Sequence, residues 1–294
     1  MASKVPLTIV VAGATASSES AQALGALPGV TVVEKDWKMV DEAWLREQRA
    51  GGDLRAFIAS HNGISQFTDE GLFLAACLAA GVEYVVRIST TQSVVGPDSV
   101  AYYGRSHWAA EAMLATPEFK AMKWTSLQPN VFTQQLASGV VAWLAQYRTT
   151  GRKGPFKIML DGKAGVAAVD CNEVGALAAR LLALSSDNVQ THTGQKYVVV
   201  GPSNVSGGEV VALLEKHAGT TVDEIEFRDV SWAPYLGKMI GLPENVIPSL
   251  ARAPSTGYEG ACSVEQSPCS PGVVKLGAPV NGALEMIDAA LADV

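Results

Sequence analysis

Residues Leu7–Ala12 read LTIVVA, a continuous apolar run of strand length that ends at Gly13. Such a run, with no polar alternation, describes a central strand buried on both faces, the kind found in parallel sheets. The chain then repeats a theme. A helix over 17–27 takes a serine at its start and Pro28-Gly29 as its stop. A strand is expected over 30–34, a helix over 40–49, and a third strand over 54–60 after the Gly51-Gly52 break. A helix over 69–80 ends at Gly81, and YVVRIS over 84–89 supplies a fourth strand. Strands and helices alternating at this spacing imply βαβ units and a parallel sheet, so the chain is read as an α/β protein.

Further on, a helix is expected over 103–114 and a short strand, WTSLQ, over 124–128, stopped by Pro129. A long helix over 133–147 follows. The Gly- and Lys-rich stretch 151–165 reads as a hairpin-like excursion. Helices over 172–184 and 208–217 flank a strand over 196–200. Beyond residue 228 the periodicity weakens into short helices over 232–240 and 244–250, a Pro/Ser/Gly-rich loop, and a closing helix over 284–291. This divides the chain into a sheet-bearing domain, 1–150, and a region 151–294 that adds segments to the sheet and forms a smaller lobe covering the substrate.

Composition narrows the function classes. Hydrophobic residues make up 48% of the 294 and charged residues 17%, which excludes a disordered or coiled-coil chain. A net charge of −7, without basic stripes, gives no electrostatic footprint for nucleic acid or an anionic membrane. A small organic molecule is the expected partner. Cys77, Cys171, Cys262 and Cys269 show no zinc spacing, and no metal is expected. The longest later apolar run, 136–145, is too short to span a bilayer, so a cytoplasmic protein is expected.

In dinucleotide-binding folds the turn after the first strand carries glycines that permit a tight turn, backbone approach to pyrophosphate, and close helix packing. Here the turn reads GATASSES: Gly13 is present, while Ala16 and Glu19 stand at the later glycine positions. Ala16 crowds the approach of a phosphate. Glu19 places a carboxylate in the first helical turn, where it complements the helix dipole and opposes an anion.

Several motifs together, IVVAGAT, YVVRIST, YYGRSHWAAEAML, WTSLQPNVFTQQL and VDCNEVGALAARLL, resemble the NmrA-like family of atypical short-chain dehydrogenases/reductases. The similarity runs from about residue 7 to 200, and more loosely to the end. It implies a Rossmann-like doubly wound, mostly parallel sheet with a C-terminal lobe, and NADP(H) as cofactor. Against that pattern VTVVEKDWKMVDEAWL resembles the family's third strand and its helix, so one strand–helix unit is missing near the adenosine end. The cofactor is therefore expected to be bound weakly or to be lost. If one is held, the residues to hold it are Gly13, Thr15, Ser17, Ser18 and Lys35.

Short-chain dehydrogenases pair a tyrosine with a lysine four residues later; here those positions are Tyr103 and His107. Tyr103, His107 and Glu111 recur on one face of a helix, so His107 is a candidate acid/base with Glu111 orienting it. The alternative is a polar packing face. Ligands of open α/β sheets bind outside the carboxyl ends of the strands. The loops leaving those ends bring His61, as a further candidate catalyst, together with Asn62, Ser89, Thr90, Thr91, Asn130, Phe132, Gln134 and Gln135 as substrate-binding groups. The residues thus suggest a small-molecule, secondary-metabolite enzyme performing non-redox isomerisation, elimination or cyclisation. Two alternatives stand beside it: an NADP-dependent oxidoreductase with a divergent phosphate loop, and a non-catalytic regulatory or binding protein.

Overall fold

The computed structural model describes residues 6–13, 18–49 and 51–294. Strand β1 (Leu7–Ala12) leads through Gly13 towards helix α1 (Ser18–Gly25). Helix α2 (Glu42–Gln48) opens on Asp41, whose side chain accepts from the Trp44 amide at 2.8 Å. Then come β2 (Asp53–Ile58), α3 (Gln66–Ala79), β3 (Tyr84–Ile88), α4 (Tyr102–Leu114), β4 (Lys123–Pro129) and α5 (Thr133–Thr150), which ends on left-handed Gly151. The chain continues through β5 (Phe156–Ile158), α6 (Cys171–Leu182), α7 (Ser186–Val189) and β6 (Gln195–Val199). Helix α8 (Gly207–Ala218) starts in a capping box, with Ser206 and Glu209 each satisfying the other's backbone amide. After β7 (Ile225–Phe227) only helices remain: α9 (Trp232–Met239), α10 (Ile247–Leu250), α11 (Ser255–Tyr258), α12 (Pro271–Gly277) and α13 (Ala283–Ala292).

The main sheet has the order β1-β2-β3-β4-β6. Strands β1 and β2 pair in parallel with Val10 opposite Ala56, and β2 and β3 in parallel with Phe57 opposite Val86. This is the α/β architecture with a mostly parallel sheet that the sequence pattern implies.

The chain forms two compact units. The first comprises the residues up to Ile88 with Ala109–Ser126 and Leu181–Gln195. Its core is built from Leu54, Ala56 and Ile58 of β2, Phe73, Leu74 and Cys77 of α3, and Val85 of β3. Burial pushes the Cys77 thiol up to about 12, so it stays protonated. The second unit comprises Ser89–Trp108, Leu127–Arg180 and Lys196–Val294. There α5, α8 and α13 bury Leu136, Val140 and Leu144, Val210 and Leu214, and Ile287 and Leu291, all at helical spacing.

Three expectations are corrected. β1 is not a central strand buried on both faces: it is the edge of the sheet, and Leu7, Ile9 and Val11 are exposed at 42%, 39% and 49%. Residues 30–34 form no strand, and Val30, Val32 and Val33 are exposed, so among the described residues nothing extends the sheet beyond β1. The β-branched content of 30–34 satisfies local propensity, but a strand also needs a partner. Finally, 151–165 is not a hairpin. β5 pairs in parallel with the distant β7, Lys157 opposite Glu226.

Candidate active site

In the second unit, the segment after β3 and the segment after β4 lie side by side. The Ser89 amide donates to the Leu127 carbonyl at 2.7 Å, and Thr91 Oγ1 lies 3.4 Å from both the Pro129 carbonyl and Asn130 Oδ1. Asn130 is a buried knot. Its Nδ2 donates to the Cys262 carbonyl at 2.8 Å, and its Oδ1 accepts from the Val131 amide at 2.9 Å. Cys262 Sγ is 3.4 Å from Ser93 Oγ and 3.5 Å from Thr256 Oγ1. Ser89 Oγ and Thr133 Oγ1 are buried and have no hydrogen-bond partner among the described residues. A buried hydroxyl left in this state costs about 1–3 kcal/mol, so these two atoms mark positions where a ligand's polar group would be stabilising.

Tyr103 stands on α4 beside this cluster. Burial is the main reason its phenol titrates above the ordinary range; Tyr102 and Cys262 add to the effect, and a hydrogen bond with Thr90 opposes it. Tyr102 packs edge-on at 5.7 Å and is itself pushed up to about 12 by burial. His107, one turn on, is buried and meets the Tyr103 ring edge-on at 6.5 Å. Tyr103 is therefore neutral at any physiological pH, a hydrogen-bond donor and not a phenolate.

Glu111 belongs to the first unit and to a different network. It accepts from Ser126 Oγ at 2.7 Å and lies 3.5 Å from Arg87 Nη1. Arg87 is fully buried and binds Glu70 through Nε at 2.6 Å and Nη2 at 3.1 Å, while Ser60 Oγ donates to Glu70 at 2.8 Å. Burial disfavours the Arg87 charge, but Glu70 and then Glu111 outweigh it and hold its pKa above the ordinary range.

His61, at the end of β2, has both ring nitrogens engaged. Nδ1 accepts from the Gly63 amide at 2.8 Å and Nε2 lies 2.9 Å from Asp69 Oδ2, which selects the neutral Nε2–H tautomer. The Ser65 hydroxyl at 2.6 Å is the first reason the Asp69 carboxyl titrates low; burial opposes this, and His61 adds to it. Asn62 is exposed.

The remaining predicted residues are distributed as follows. Gln134 is clamped between Asp170 Oδ1 at 2.6 Å and the Cys171 amide at 3.2 Å. Gln135 is exposed, and Phe132 precedes α5 with extended backbone. Gly13 has φ +79°, and a Cβ there would meet the Ala59 carbonyl oxygen at 2.8 Å, so only glycine fits. Thr15 and Ser17 lie outside the described residues, as does the Ser18 side chain. Lys35 is exposed and lies 5.5 Å from the centroid of the Trp44 ring. Sequence reasoning missed Thr133 and the Cys262–Ser93–Thr256 contact. Ser93 lies 169 positions from Cys262 and 40 from Thr133, separations that no local sequence pattern joins.

No protein-family model matches the chain. Over 207 residues, 69% of the chain, it is 29% identical to the NAD(P)H azoreductase of Xenophilus azovorans, and the match spans 66% of that protein. Among solved structures it resembles the NADPH-dependent quinone oxidoreductase of Escherichia coli complexed with NADPH. The TM-score there is 0.65 at 20% identity, over 96% of this chain and 99% of that one. It also resembles the Citrobacter sp. triphenylmethane reductase complexed with NADP(H), with a TM-score of 0.63 at 20% identity over 97% and 90% of the two chains. The structural likenesses establish a shared fold. The expectation of a non-redox isomerase, lyase or cyclase of secondary metabolism is overturned by the match to an azoreductase, alongside the likeness to a quinone oxidoreductase and a triphenylmethane reductase. That expectation rested on the altered loop glycines, the missing strand–helix unit and the histidine in place of the usual lysine, which bear on how a cofactor is held and do not fix the reaction. Among the described residues no helix is long and apolar enough to cross a membrane.

Proposed function

We propose that this chain is a NAD(P)H-dependent reductase of a small, electron-poor organic molecule, built as an NmrA-like atypical short-chain dehydrogenase. The observation that carries the reading is the 29% identity to a NAD(P)H azoreductase across 207 residues. The chain's own residues fit a polar ligand. Ser89 and Thr133 follow the carboxyl ends of β3 and β4, where open α/β sheets take their ligands, and each holds a buried hydroxyl with no partner among the described residues. Gly13, at the end of β1, makes the tight turn that precedes a phosphate loop, and Lys35 is the cation suited to a ribose or its phosphate.

Bound NAD(P)H supplies a hydride. The chain answers with hydrogen-bond donation to the substrate atom that gains negative charge. Tyr103 is the donor: burial keeps its hydroxyl proton in place, and the Thr90 hydroxyl orients it. Asn130 holds Thr91 and the Cys262 carbonyl, so the polar floor beside Tyr103 is fixed before substrate arrives.

Fluorescence titration with NADPH, followed by NADPH consumption with a quinone or an azo dye as acceptor, tests the reading. Binding and turnover are expected, with Tyr103→Phe lowering kcat about tenfold or more and leaving the NADPH Kd unchanged. Absence of NADPH binding at millimolar concentration, with no consumption on either acceptor, would refute it.

A further inference from the structure

The turn between β7 and α9, in the second unit, carries Arg228 with φ 58°, the one non-glycine left-handed residue among those described. A side chain in this region strains the backbone, and such residues persist where surrounding structure over-determines them, often around ligand sites. Here the surroundings are explicit. The Arg228 amide donates to the Leu160 carbonyl at 2.9 Å and the Asp229 amide to the Ile158 carbonyl at 3.0 Å. Arg228 Nε donates to Asp161 Oδ2 at 2.5 Å, and the guanidinium lies 5.1 Å from the centroid of the Tyr258 ring. Neither Nη group donates a hydrogen bond to a described residue, and the side chain stays 56% exposed.

That guanidinium borders an open depression of about 880 Å³ with a mainly apolar lining, including Phe227, Val230, Pro234 and Pro248. The volume suits a drug-sized organic molecule. Its charges are already balanced towards the negative: Arg228 and Lys157 face Asp161, Glu226 and Asp229. Glu226 is paired with Lys157 at 2.8 Å, and Asp229 accepts from the Ser231 hydroxyl at 3.0 Å. A further anion gains little in this field. What the depression offers is two charge-assisted N–H donors beside flat apolar surface.

We propose that this depression is a second ligand site, taking an uncharged aromatic ketone or quinone whose carbonyl oxygen accepts from the Arg228 Nη groups. The lining residues Ala233 and Ile247 belong to α9 and α10, and both join Tyr102, with Tyr103 packed alongside, in one apolar cluster. An occupant therefore braces the helices that hold Tyr103. The site stands independently of the reductase reading.

Calorimetry without nicotinamide, using 2-acetylnaphthalene, 2-ethylnaphthalene and 2-naphthoate, tests it. Arg228→Gly removes the guanidinium and relieves the backbone, so this variant should fold with an unchanged or higher unfolding midpoint. It should bind the ketone about tenfold or more weakly and the ethyl analogue as wild type does. Ala251→Trp, which fills the depression, should abolish binding of both, and naphthoate should bind more weakly than the ketone. The proposal is overturned by ketone binding that is unchanged in Arg228→Gly or persists in Ala251→Trp, by naphthoate binding more tightly than the ketone, or by no binding of any probe.

Discussion

Replacing Arg87 with Met removes the cation from a compartment that excludes water and leaves the buried Glu70 and Glu111 carboxylates behind. At 2.6 Å and an effective dielectric near 20 the Arg87–Glu70 attraction alone is about 6 kcal/mol before desolvation is counted. Breaking a buried pair by deleting one partner costs roughly 3–5 kcal/mol net, a large share of the ~5–15 kcal/mol that stabilises a domain. The pH dependence carries the sharper test. Without Arg87, burial raises the native pKa of the stranded carboxylates above their unfolded values near ~4.3. Such groups bind more protons in the native state than in the unfolded one, so the variant loses stability as pH rises through that window. Urea unfolding followed by circular dichroism at about pH 5 and about pH 8 should show the deficit growing with pH, by up to ~1.4 kcal/mol per pH unit for each stranded carboxylate. Glu70→Gln, which leaves Arg87 beside Glu111, should cost less than Arg87→Met. A loss below ~1 kcal/mol that does not change with pH would refute the picture of a dry, paired network.

The same network shows where the sequence stops being informative. Tyr103, His107 and Glu111 fall on one helical face by spacing, and the spacing is real. What spacing cannot convey is that Glu111 meets Arg87 and Ser126, residues 24 and 15 positions away, because those contacts depend on how three elements pack. The β2 and β3 strands were legible because most of their residues are apolar and buried, although each also buries one arginine, Arg55 and Arg87. Strand β1 carries an equally apolar run and yet has an open face; hydrophobicity records what a strand is suited to, and a missing neighbour leaves no trace in it. The β5–β7 pairing was illegible for a related reason, since three-residue strands about 70 positions apart offer no periodicity to detect. Among the proposed site residues, Thr90 and Asn130 follow from the rule that places ligands at strand carboxyl ends, and Tyr103 from its match to the tyrosine of short-chain dehydrogenases. Gln134 obeyed the same rule but is clamped to Asp170.

Further expectations concern three surface-linked features. Asp161 accepts from the Ala164 and Lys163 amides at 2.7 Å and then from Arg228, which together hold its carboxyl down at about 2. Its contribution is therefore present above the unfolded value near ~3.9 and lost as pH falls towards 2, and Asp161→Asn should cost about 1–2 kcal/mol at neutral pH in urea unfolding; no loss would contradict the clamp. Glu19 sits in the first turn of α1, where its charge opposes a phosphate, so Glu19→Gln should tighten NADPH about two- to fivefold by fluorescence titration, and an unchanged Kd would separate this helix from the cofactor. The last concerns β1, whose alternate residues Leu7, Ile9 and Val11 face outwards on an edge strand, a combination that templates unwanted pairing. Because Ile9 keeps 39% of its surface exposed, Ile9→Thr forfeits little burial and retains a β-branched side chain, so its stability cost should stay below about 1 kcal/mol. Aggregation in mild denaturant, followed by light scattering, should slow in the same variant. A stability loss above ~2 kcal/mol would mean that the outer face of β1 is covered in solution, since only a buried isoleucine has that much to lose.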